Sequence, residues 1–376
     1  MAFSISNIYK NLFPPKDQSF LGVDIGASSI KVVQVTRKHG RAILETYGEI
    51  ALAPYDGKEM GKAMNLTSDK IAEALNDLCR ESSVTTKQSA IAIPFVASLV
   101  SLIEMPTADK KQLDQMVPIE ARKYIPVPIS EVLLDWSIIP KEAKSYPTVA
   151  DEQRADQVME KNQKTDVMVV AIHNDTIVKY QEIGAKTNLV TAFYEIEMFS
   201  TIRALLDQNS KSVMIVDIGA GSTKLYVVER GVIKNSHLVN RGSQDITLAI
   251  SSALNIPFAE AENMKRATDM AKTDGERNII GIIALTLDYI FAEANQVLLS
   301  YEKKYSKTVD QILLIGGGSL LKGILPVAKR SFQIDVAIGE PFSKVDAPAF
   351  LQDVLKNANP EFSVAVGAAL RMLQEN

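Results

Sequence analysis

Apolar residues recur along the chain in two patterns, and each pattern predicts one kind of element. Compact apolar runs of about four to eight residues, bounded by glycine, proline or polar clusters, are typical of strands. Apolar residues at every third or fourth position are typical of amphipathic helices. The strand pattern occurs at 21–35, 42–50, 89–95, 97–105, 167–173, 214–228, 231–239 and 311–319. The helix pattern occurs at 3–13, 69–81, 107–124, 174–186, 320–330 and 361–374, and over the helical region 243–305. Residues 193–206 form an apolar segment that passes into a helix.

One stretch of the strand pattern occurs twice. Residues 21–35 read LGVDIGASSIKVVQV, and residues 214–228 read MIVDIGAGSTKLYVV. The letters VDIGA are identical in both copies, and a serine and a lysine then follow at the same spacing. Each copy has an apolar strand, a turn of small residues and a second apolar strand, which predicts a β-hairpin.

The turns of the two hairpins have the chemistry of a phosphate site. Glycine at Gly26, Gly219 and Gly221 lets a ligand approach the backbone, because no Cβ stands in the way. Successive turn N–H groups without strand partners form a concave anion site. Asp24 and Asp217 end the incoming strands, where a carboxylate can hold a hydrated Mg²⁺ beside phosphate oxygens. The duplication therefore predicts two domains that grip one polyphosphate between them.

A third glycine-rich turn follows the strand that starts at residue 311. The sequence QILLIGGGS runs from a buried strand into three glycines, with a helix predicted over 320–330. A glycine turn before a helix N-terminus is a favourable place for an anion or a flat base. Leu321 breaks the dinucleotide-binding glycine pattern, and the chain has no Walker A motif. The charged run at 259–266 is, by its pattern alone, typical of a solvated helix face.

Composition excludes several classes of protein. The chain of 376 residues has 46% hydrophobic and 23% charged residues, which is ordinary for a globular protein of two to four folded units. Its net charge of −4 argues against a general nucleic-acid binder. The single cysteine, Cys79, excludes an internal disulfide and is predicted to pack in the core. No apolar run approaches about 20 residues and no secretion signal is recognisable, so we expect a cytoplasmic protein.

The segment 96–187 differs from the rest of the chain in its pattern of apolar, polar and proline residues. Its predicted helix is broken at Pro126 and Pro128, a strand follows towards Trp136, and the polar stretch 141–166 is typical of a flexible insert. We predict a small βαββ module inserted into the first domain. Contact is its expected role, since its polar residues form no acid–base or ligand cluster. The helix at 3–13 is predicted to dock on the body, with a membrane-surface or partner contact left open.

The order of these parts resembles the actin-like ATPase superfamily over nearly the whole chain. The stretches KYIPVPISEVLLDW, AENMKR, LLIGGGSLLKG and NPEFSVAVGAALR are similar to the type IV pilus assembly protein PilM family. The insert is similar to subdomain 1C of the cell-division protein FtsA. The resemblance implies an α/β fold with duplicated, ribonuclease H-like domains and an inserted 1C subdomain.

The resemblance also implies an ATP site with Mg²⁺. It places the phosphates at Gly26, Ala27, Ser28, Ser29, Lys31, Gly219, Ala220, Gly221, Ser222 and Thr223. It places Asp24 and Asp217 on the Mg²⁺ side. Glu262 and Lys265 would face the ribose or adenine, and Gly317, Gly318 and Ser319 would close over the base.

Catalytic turnover is a separate question. Glu197 takes the place of the glutamate in the superfamily's Glu-Pro-x-Ala connector, where it would position the attacking water. Met198 and Ser200 replace the proline and alanine of that connector. We therefore expect ATP binding with at most slow hydrolysis.

The resemblance further implies an organisation and a partner. The first domain would comprise 1–95 and 188–211, with 96–187 as the insert. The second would comprise 212–242 and 306–376, its last helix returning to the first domain, with 243–305 as its subdomain. The chain would be a cytoplasmic scaffold that docks the N-terminal tail of PilN between the insert and the first domain. Other inner-membrane pilus components would be further partners, association with the membrane would be indirect through PilN, and self-association is left open.

Two alternatives remain at this level. One is an FtsA-like protein that forms filaments. The other is a small-molecule kinase of the same superfamily, which needs a carboxylate base at a substrate hydroxyl. The insert offers only Glu131 and Asp135 for that role, and both fit better as the end of a turn and part of a strand.

Overall fold

The computed structural model describes residues 18–139, 164–207, 210–272 and 277–375. The predicted helix at 3–13 and most of the polar stretch 141–166 lie outside the described residues.

The described chain alternates strands and helices. The strands are β1 (Ser19–Ile25), β2 (Ser29–Lys38), β3 (Arg41–Ala51), β4 (Gln88–Ile93), β5 (Ser98–Pro106), β6 (Val132–Ile139), β7 (Lys164–His173), β8 (Val190–Ile196), β9 (Val213–Ile218), β10 (Thr223–Glu229), β11 (Val232–Val239), β12 (Gln311–Ile315) and β13 (Asp335–Ile338). The helices are α1 (Ser68–Glu81), α2 (Lys110–Ala121), α3 (Asn174–Lys186), α4 (Glu197–Leu205), α5 (Ser243–Leu254), α6 (Phe258–Ala267), α7 (Arg277–Tyr305), α8 (Ile324–Ser331), α9 (Gln352–Ala358) and α10 (Ser363–Glu375).

Two five-stranded sheets repeat the same topology. Their strand orders are β3-β2-β1-β4-β8 and β11-β10-β9-β12-β13. In each sheet the first three strands are antiparallel and the remaining pairs are parallel. The twin hairpins are β1-β2 and β9-β10, as predicted, and both share one register. Asp24 lies opposite Lys31, and Asp217 lies opposite Lys224. The sequence duplication is therefore a duplication of the fold.

Both faces of the first sheet are covered, and the alternation of side chains along β2 shows how. Val33 and Val35 pack into a cluster with α10 on one face. Ile30 and Val32 pack into a cluster with α1 and α3 on the other. Since successive strand side chains point to opposite faces, a doubly covered strand must be apolar at nearly every position. This explains the continuous apolar runs of the hairpins.

The inserted segment forms the predicted βαββ module. Its sheet has the order β5-β7-β6, and α2 packs against one face through Leu113 and Val117. A capping box, in which the Asp109 side chain and the Gln112 side chain each bond the other's backbone N–H, begins α2. The helix therefore starts at Lys110 and ends at Ala121, which is shorter than the predicted span of 107–124.

Two other predicted helix starts are also wrong. Helix α1 begins at Ser68, one residue before the predicted start at 69, because Thr67 caps it by accepting the N–H of Lys70. The helix predicted from Leu320 begins only at Ile324. Residues 317–320 form a short 3₁₀ turn, and Gly323 has a φ of 78°, a left-handed conformation that interrupts helical hydrogen bonding.

The longest helix, α7, is part of the second core. By length and composition alone, Asn278–Tyr305 is long and apolar enough to cross a membrane, which the sequence analysis did not expect. Its residues Ile283, Leu287, Ile290 and Ala294 are fully buried in the cluster around the second sheet. Their spacing of three or four residues is that of a helix packed along one face.

Helices α4 and α10 cross at very close range. A Cβ added to Gly367 of α10 would lie 1.8 Å from the carbonyl oxygen of Ser200 in α4. Beside the crossing, Glu195 accepts hydrogen bonds from Arg203 at 2.6 Å and from Arg371 at 2.8 Å. Glycine at position 367 therefore allows the close approach of the two helices, and the crossing ties α10 to the first sheet.

Candidate functional site

One cavity of about 400 Å³ lies between the turns of the two hairpins. Gly26 and Gly219 both line it, so the duplicated turns face a shared crevice. The predicted site residues that line this cavity are Asp24, Gly26, Ala27, Ser28, Ser29, Lys31, Glu197, Asp217, Gly219, Ala220, Gly221, Ser222, Glu262, Lys265, Gly317 and Gly318. The cavity size is typical of a small-molecule or cofactor site.

Both hairpin turns close with the same hydrogen bond. The N–H of Gly26 donates to the carbonyl of Ser29 at 3.0 Å, and the N–H of Gly219 donates to the carbonyl of Ser222 at 3.0 Å. Because the two turns have the same hydrogen bond, they present the same backbone groups to the two sides of the cavity. A ligand with several anionic groups can therefore contact both sides at once.

Lys31 is held in the cavity by oxygen atoms. Its ammonium donates to the Ser29 hydroxyl at 2.7 Å and lies 3.0 Å from a Glu49 oxygen and 3.7 Å from a Glu361 oxygen. Burial lowers the pKa of Lys31, but Glu49 and Glu361 outweigh burial and hold that pKa above its usual value. Lys31 therefore places a positive charge in the cavity. The sequence analysis missed both glutamates.

Lys224, the counterpart of Lys31, contacts different carboxylates. Its ammonium lies 2.9 Å from Glu197 and 3.1 Å from Asp217. Burial lowers the pKa of Lys224, but Asp217 and Glu197 together raise it well above its usual value. The matched spacing in the two hairpins had marked Lys224, yet it was not among the predicted site residues.

Asp24 is the cavity carboxyl with the most perturbed acidity. Burial raises the pKa of Asp24 to about 7; the nearby Glu197 and Asp217 add to this rise, while Lys31 and Lys224 oppose it. The Asp24 side chain is half-buried and lines the cavity. Near neutral pH it can therefore gain or lose a proton as the charge in the cavity changes.

We expect the stability of the ligand-free protein to fall with rising pH because of Asp24. The unfolded carboxyl releases its proton near pH 3.8 and the folded one near pH 7, so its stabilising effect is complete below pH 3.8 and lost as pH rises through 7. Asp24→Asn removes this titration. Urea unfolding should show that the free energy of unfolding of the variant, relative to that of wild type, rises by about 2 to 3 kcal/mol from pH 4.5 to pH 8. A constant difference across that range would contradict the raised pKa.

The charged run of α6 is partly buried, so its predicted role as a solvated face is wrong for two residues. Glu262 and Lys265 are each 5% exposed and lie 2.7 Å apart. Glu262 also accepts hydrogen bonds from Thr247 at 2.6 Å and from Arg266 at 2.7 Å. Mutual neutralisation allows both charges to be buried. Both residues line the cavity.

The glycine turn after β12 packs against the second hairpin. A Cβ on Gly316 would lie 2.4 Å from an Asp217 oxygen, and a Cβ on Gly318 would lie 2.2 Å from the Ile218 side chain. Only glycine allows this approach, so the turn forms the cavity wall beside Asp217. Gly316 also lines the cavity and was not predicted.

Two predicted site residues are not among the residues that line the cavity. The Thr223 hydroxyl donates to the carbonyl of Arg241 at 2.8 Å, and the Ser319 hydroxyl donates to the carbonyl of Gly316 at 2.7 Å. These side chains therefore fix the backbone of the two turns. A direct ligand contact from them is not supported.

A loop of the first half reaches across the cavity mouth. The N–H of Ala63 donates to the Gln244 side chain of α5 at 2.9 Å, and the Lys62 ammonium lies 4.8 Å from the centre of the Phe258 ring in α6. Gly61 of the same loop lines the cavity. Both halves therefore meet at this rim as well as at the floor.

The donor set fits a hydrated metal ion better than a protein-caged one. Within the described ranges, no three histidine, cysteine, aspartate or glutamate residues converge as metal ligands. Mg²⁺ commonly keeps several waters and uses one or two carboxylates together with substrate phosphates. Asp24 suits such a contact because it lines the open cavity.

Two sheets of the same strand order, with twin hairpin turns facing across a cleft, define the fold of the actin-like ATPases. The chain belongs to the family of type IV pilus assembly protein PilM, whose sequence profile matches residues 22–373.

The chain is also similar to a curated protein and to solved structures. Cell division protein FtsA of Neisseria meningitidis is 25% identical over 352 residues, covering 84% of this chain and 81% of FtsA. The solved PilM-PilN type IV pilus biogenesis complex contains a chain that aligns with a TM-score of 0.77 and 23% identity, covering 95% of this chain and 99% of that one. MreB 5 of Spiroplasma citri bound to AMPPNP aligns with a TM-score of 0.51 and 13% identity, covering 96% and 98%. At these identities the structures establish the shared fold.

Proposed function

We propose that the cleft binds ATP, with the triphosphate between the two hairpin turns. One observation carries the proposal: the duplicated turns, far apart in sequence, line the same cavity together with Lys31. Backbone N–H groups and a lysine on one side, matched by backbone on the other, suit a chain of phosphates. The AMPPNP bound to the similarly folded MreB 5 supports the choice of nucleotide.

Different residues of the proposed site contact different parts of the nucleotide. The phosphates lie against Gly26, Ala27, Ser28, Ser29, Lys31, Gly219, Ala220, Gly221 and Ser222. Glu262 and Lys265 shape the end that takes the ribose or adenine, and Gly317 and Gly318 close over the base. Asp24 is the carboxylate for a hydrated Mg²⁺, which when bound supplies positive charge to the phosphate oxygens. Glu197 is the candidate for positioning a water, with slow turnover expected.

The inserted module is the proposed docking site for the N-terminal tail of PilN. Membership of the PilM family and the solved PilM-PilN complex support PilN as the partner. In the described part of the chain, β6 pairs only with β7 and has Leu133 54% exposed and Ile138 46% exposed. An extended tail can add to a sheet edge by backbone pairing and place side chains against such residues. The chain then lies at the cytoplasmic face of the inner membrane, held there through PilN.

ATP binding and docking of the PilN tail together describe a scaffold whose conformation depends on the bound nucleotide. One hairpin belongs to each predicted domain, 1–95 with 188–211 and 212–242 with 306–376, so ATP contacts both. Nucleotide therefore favours the closed cleft through its greater affinity for that state. The insert at 96–187 is attached to the first domain and moves with it, which couples nucleotide state to the docked tail.

The two parts of this proposal can be tested separately. Calorimetry should show one ATP site per chain, and fluorescence anisotropy should show binding of a labelled peptide from the PilN N-terminus. Leu133→Asp is expected to weaken the peptide by about tenfold or more, since it places a charge at the docking edge. Leu285→Asp is the matched control, because Leu285 is 73% exposed on α7, outside the module.

If both variants bind the peptide as tightly as wild type does, β6 is not the docking edge. Equal weakening in both variants would point to a general effect of the added charge. Absence of ATP binding to the wild-type chain would refute the nucleotide proposal and leave the docking proposal standing.

A further inference from the structure

Three charged side chains, one lysine and two carboxylates, are buried together at the floor of the cleft. The side chains of Lys224, Glu197 and Asp217 are 15%, 8% and 9% exposed. The Lys224 ammonium bonds one oxygen of each carboxylate, at 2.9 Å and 3.1 Å. Buried carboxylates are strongly unfavourable unless a cation pairs with them. Lys224 is therefore the group that allows both acids to lie beside the cavity.

The remaining oxygen of each carboxylate also lies against protein atoms. The second Glu197 oxygen accepts the backbone N–H of Phe95 at 2.6 Å. The second Asp217 oxygen faces Gly316, where even an added Cβ would lie only 2.4 Å away. Both oxygens of Glu197 are thus held, one by the backbone just before the inserted segment and one by the second hairpin. Asp217 lines the cavity too, but one of its oxygens is paired with Lys224 and the other lies close to Gly316.

The twin hairpin shows that this arrangement is specific to Lys224. Lys31 has the same offset from its aspartate, but its ammonium contacts Ser29, Glu49 and Glu361. It thereby faces the cavity from the side, near the turn. The two lysines of the repeat therefore have different partners, and only Lys224 contacts the glutamate that could position a water.

We propose that Lys224 is a positioning residue that restrains Glu197 and keeps this cleft in a state that binds ATP and hydrolyses it slowly. To orient a water at the terminal phosphate, Glu197 must direct a free lone pair at that water. Lys224 holds one Glu197 oxygen and the Phe95 N–H holds the other, so the carboxylate cannot turn freely toward such a water. Lys224 also supplies positive charge beside Asp217, so the metal contact is left to Asp24. This inference rests on the proposed ATP site.

The test removes Lys224 in two ways. Lys224→Met takes away the charge at similar length, and Lys224→Met with Asp217→Asn does so while preserving the net charge of the triad. Single-turnover hydrolysis, with protein in excess over ATP, should speed up by about tenfold or more in either variant. Lys224→Arg, which retains the cation, should restore the slow wild-type rate.

A double-mutant cycle shows whether the gain passes through Glu197. Adding Glu197→Gln to the Lys224→Met chain should remove the gain. The effect of Glu197→Gln should be about tenfold larger there than in the wild-type chain. A purely structural role for Lys224 predicts loss of activity in every variant and no such coupling.

The alternatives overturn the inference in distinct ways. Variants that bind ATP normally and hydrolyse it no faster would show that Lys224 does not restrain Glu197. If neither variant yields folded, ATP-binding protein by circular dichroism and calorimetry, Lys224 is a structural anchor and the positioning role is rejected. Failure of the wild-type chain to bind ATP would instead refute the proposed function itself.

Discussion

Gly367→Ala is expected to destabilise the protein by about 3 kcal/mol or more, because the added methyl has no space. Its carbon would lie 1.8 Å from the Ser200 carbonyl oxygen and 2.4 Å from the Ser200 carbonyl carbon. Both atoms belong to the backbone of α4, so a side-chain rotation cannot relieve the overlap. Helix α10 would have to move away from α4. That movement would loosen its packing on the first sheet, where Ala365 and Val366 are fully buried.

Urea unfolding of Gly367→Ala and Gly281→Ala would measure this effect against a matched control. Both glycines lie inside helices, but among the described residues no atom outside the adjoining turns of α7 lies within 4 Å of a Cβ added to Gly281. Alanine is the better helix former, so Gly281→Ala should stabilise by about 0.5 to 1 kcal/mol. The same substitution, glycine to alanine, is therefore expected to lower the free energy of unfolding at position 367 and to raise it at position 281. A shift of equal sign and size would show that the crossing of α4 and α10 tolerates a side chain.

The duplicated fold could be predicted from sequence because its signal is local. The hairpin letters VDIGA, the apolar strands and the small turn residues lie within 21–35 and 214–228. Neighbouring residues alone dictate such turns. The structure then shows the same register in both copies, with each aspartate opposite its lysine. The cavity between the turns followed from the repeat, since two equal sites are most simply explained by one shared ligand.

The partners of the charged residues could not be predicted, because they come from distant parts of the chain. Lys31 is paired by Glu49 and Glu361, whereas Lys224 is paired by Glu197. The local sequence around the two lysines is almost the same, so nothing in it distinguishes their roles.

The buried pair on α6 shows the same limit of pattern reasoning. Periodicity treats every charge as solvent-exposed, yet Glu262 and Lys265 are buried because they neutralise one another. Helix starts failed for a related reason. The capping box at Asp109 and the left-handed Gly323 each move a boundary by a few residues, and the apolar period does not report such changes.

Lys31→Met is the substitution with the largest expected effect on nucleotide affinity. The Lys31 side chain is 10% exposed and carries a positive charge beside the first hairpin turn. In the proposed site it is the cation that contacts phosphate. Its removal takes away that attraction and leaves Glu49 and Glu361 to repel the phosphates. We expect the Kd for MgATP to rise about 100-fold, which corresponds to about 2.7 kcal/mol.

Lys38→Met provides the control, because Lys38 lies on the same strand, β2, at its exposed end. Both variants lose one positive charge and gain one apolar side chain. General effects of net charge or of the strand should therefore be equal in the two. Titration of MgATP by calorimetry would separate them, with Lys38→Met close to wild type. Equal affinities for all three proteins would place Lys31 outside the phosphate site and make its pairing with the two glutamates purely structural. An equal loss in both variants would point instead to a long-range charge effect, which added salt would screen.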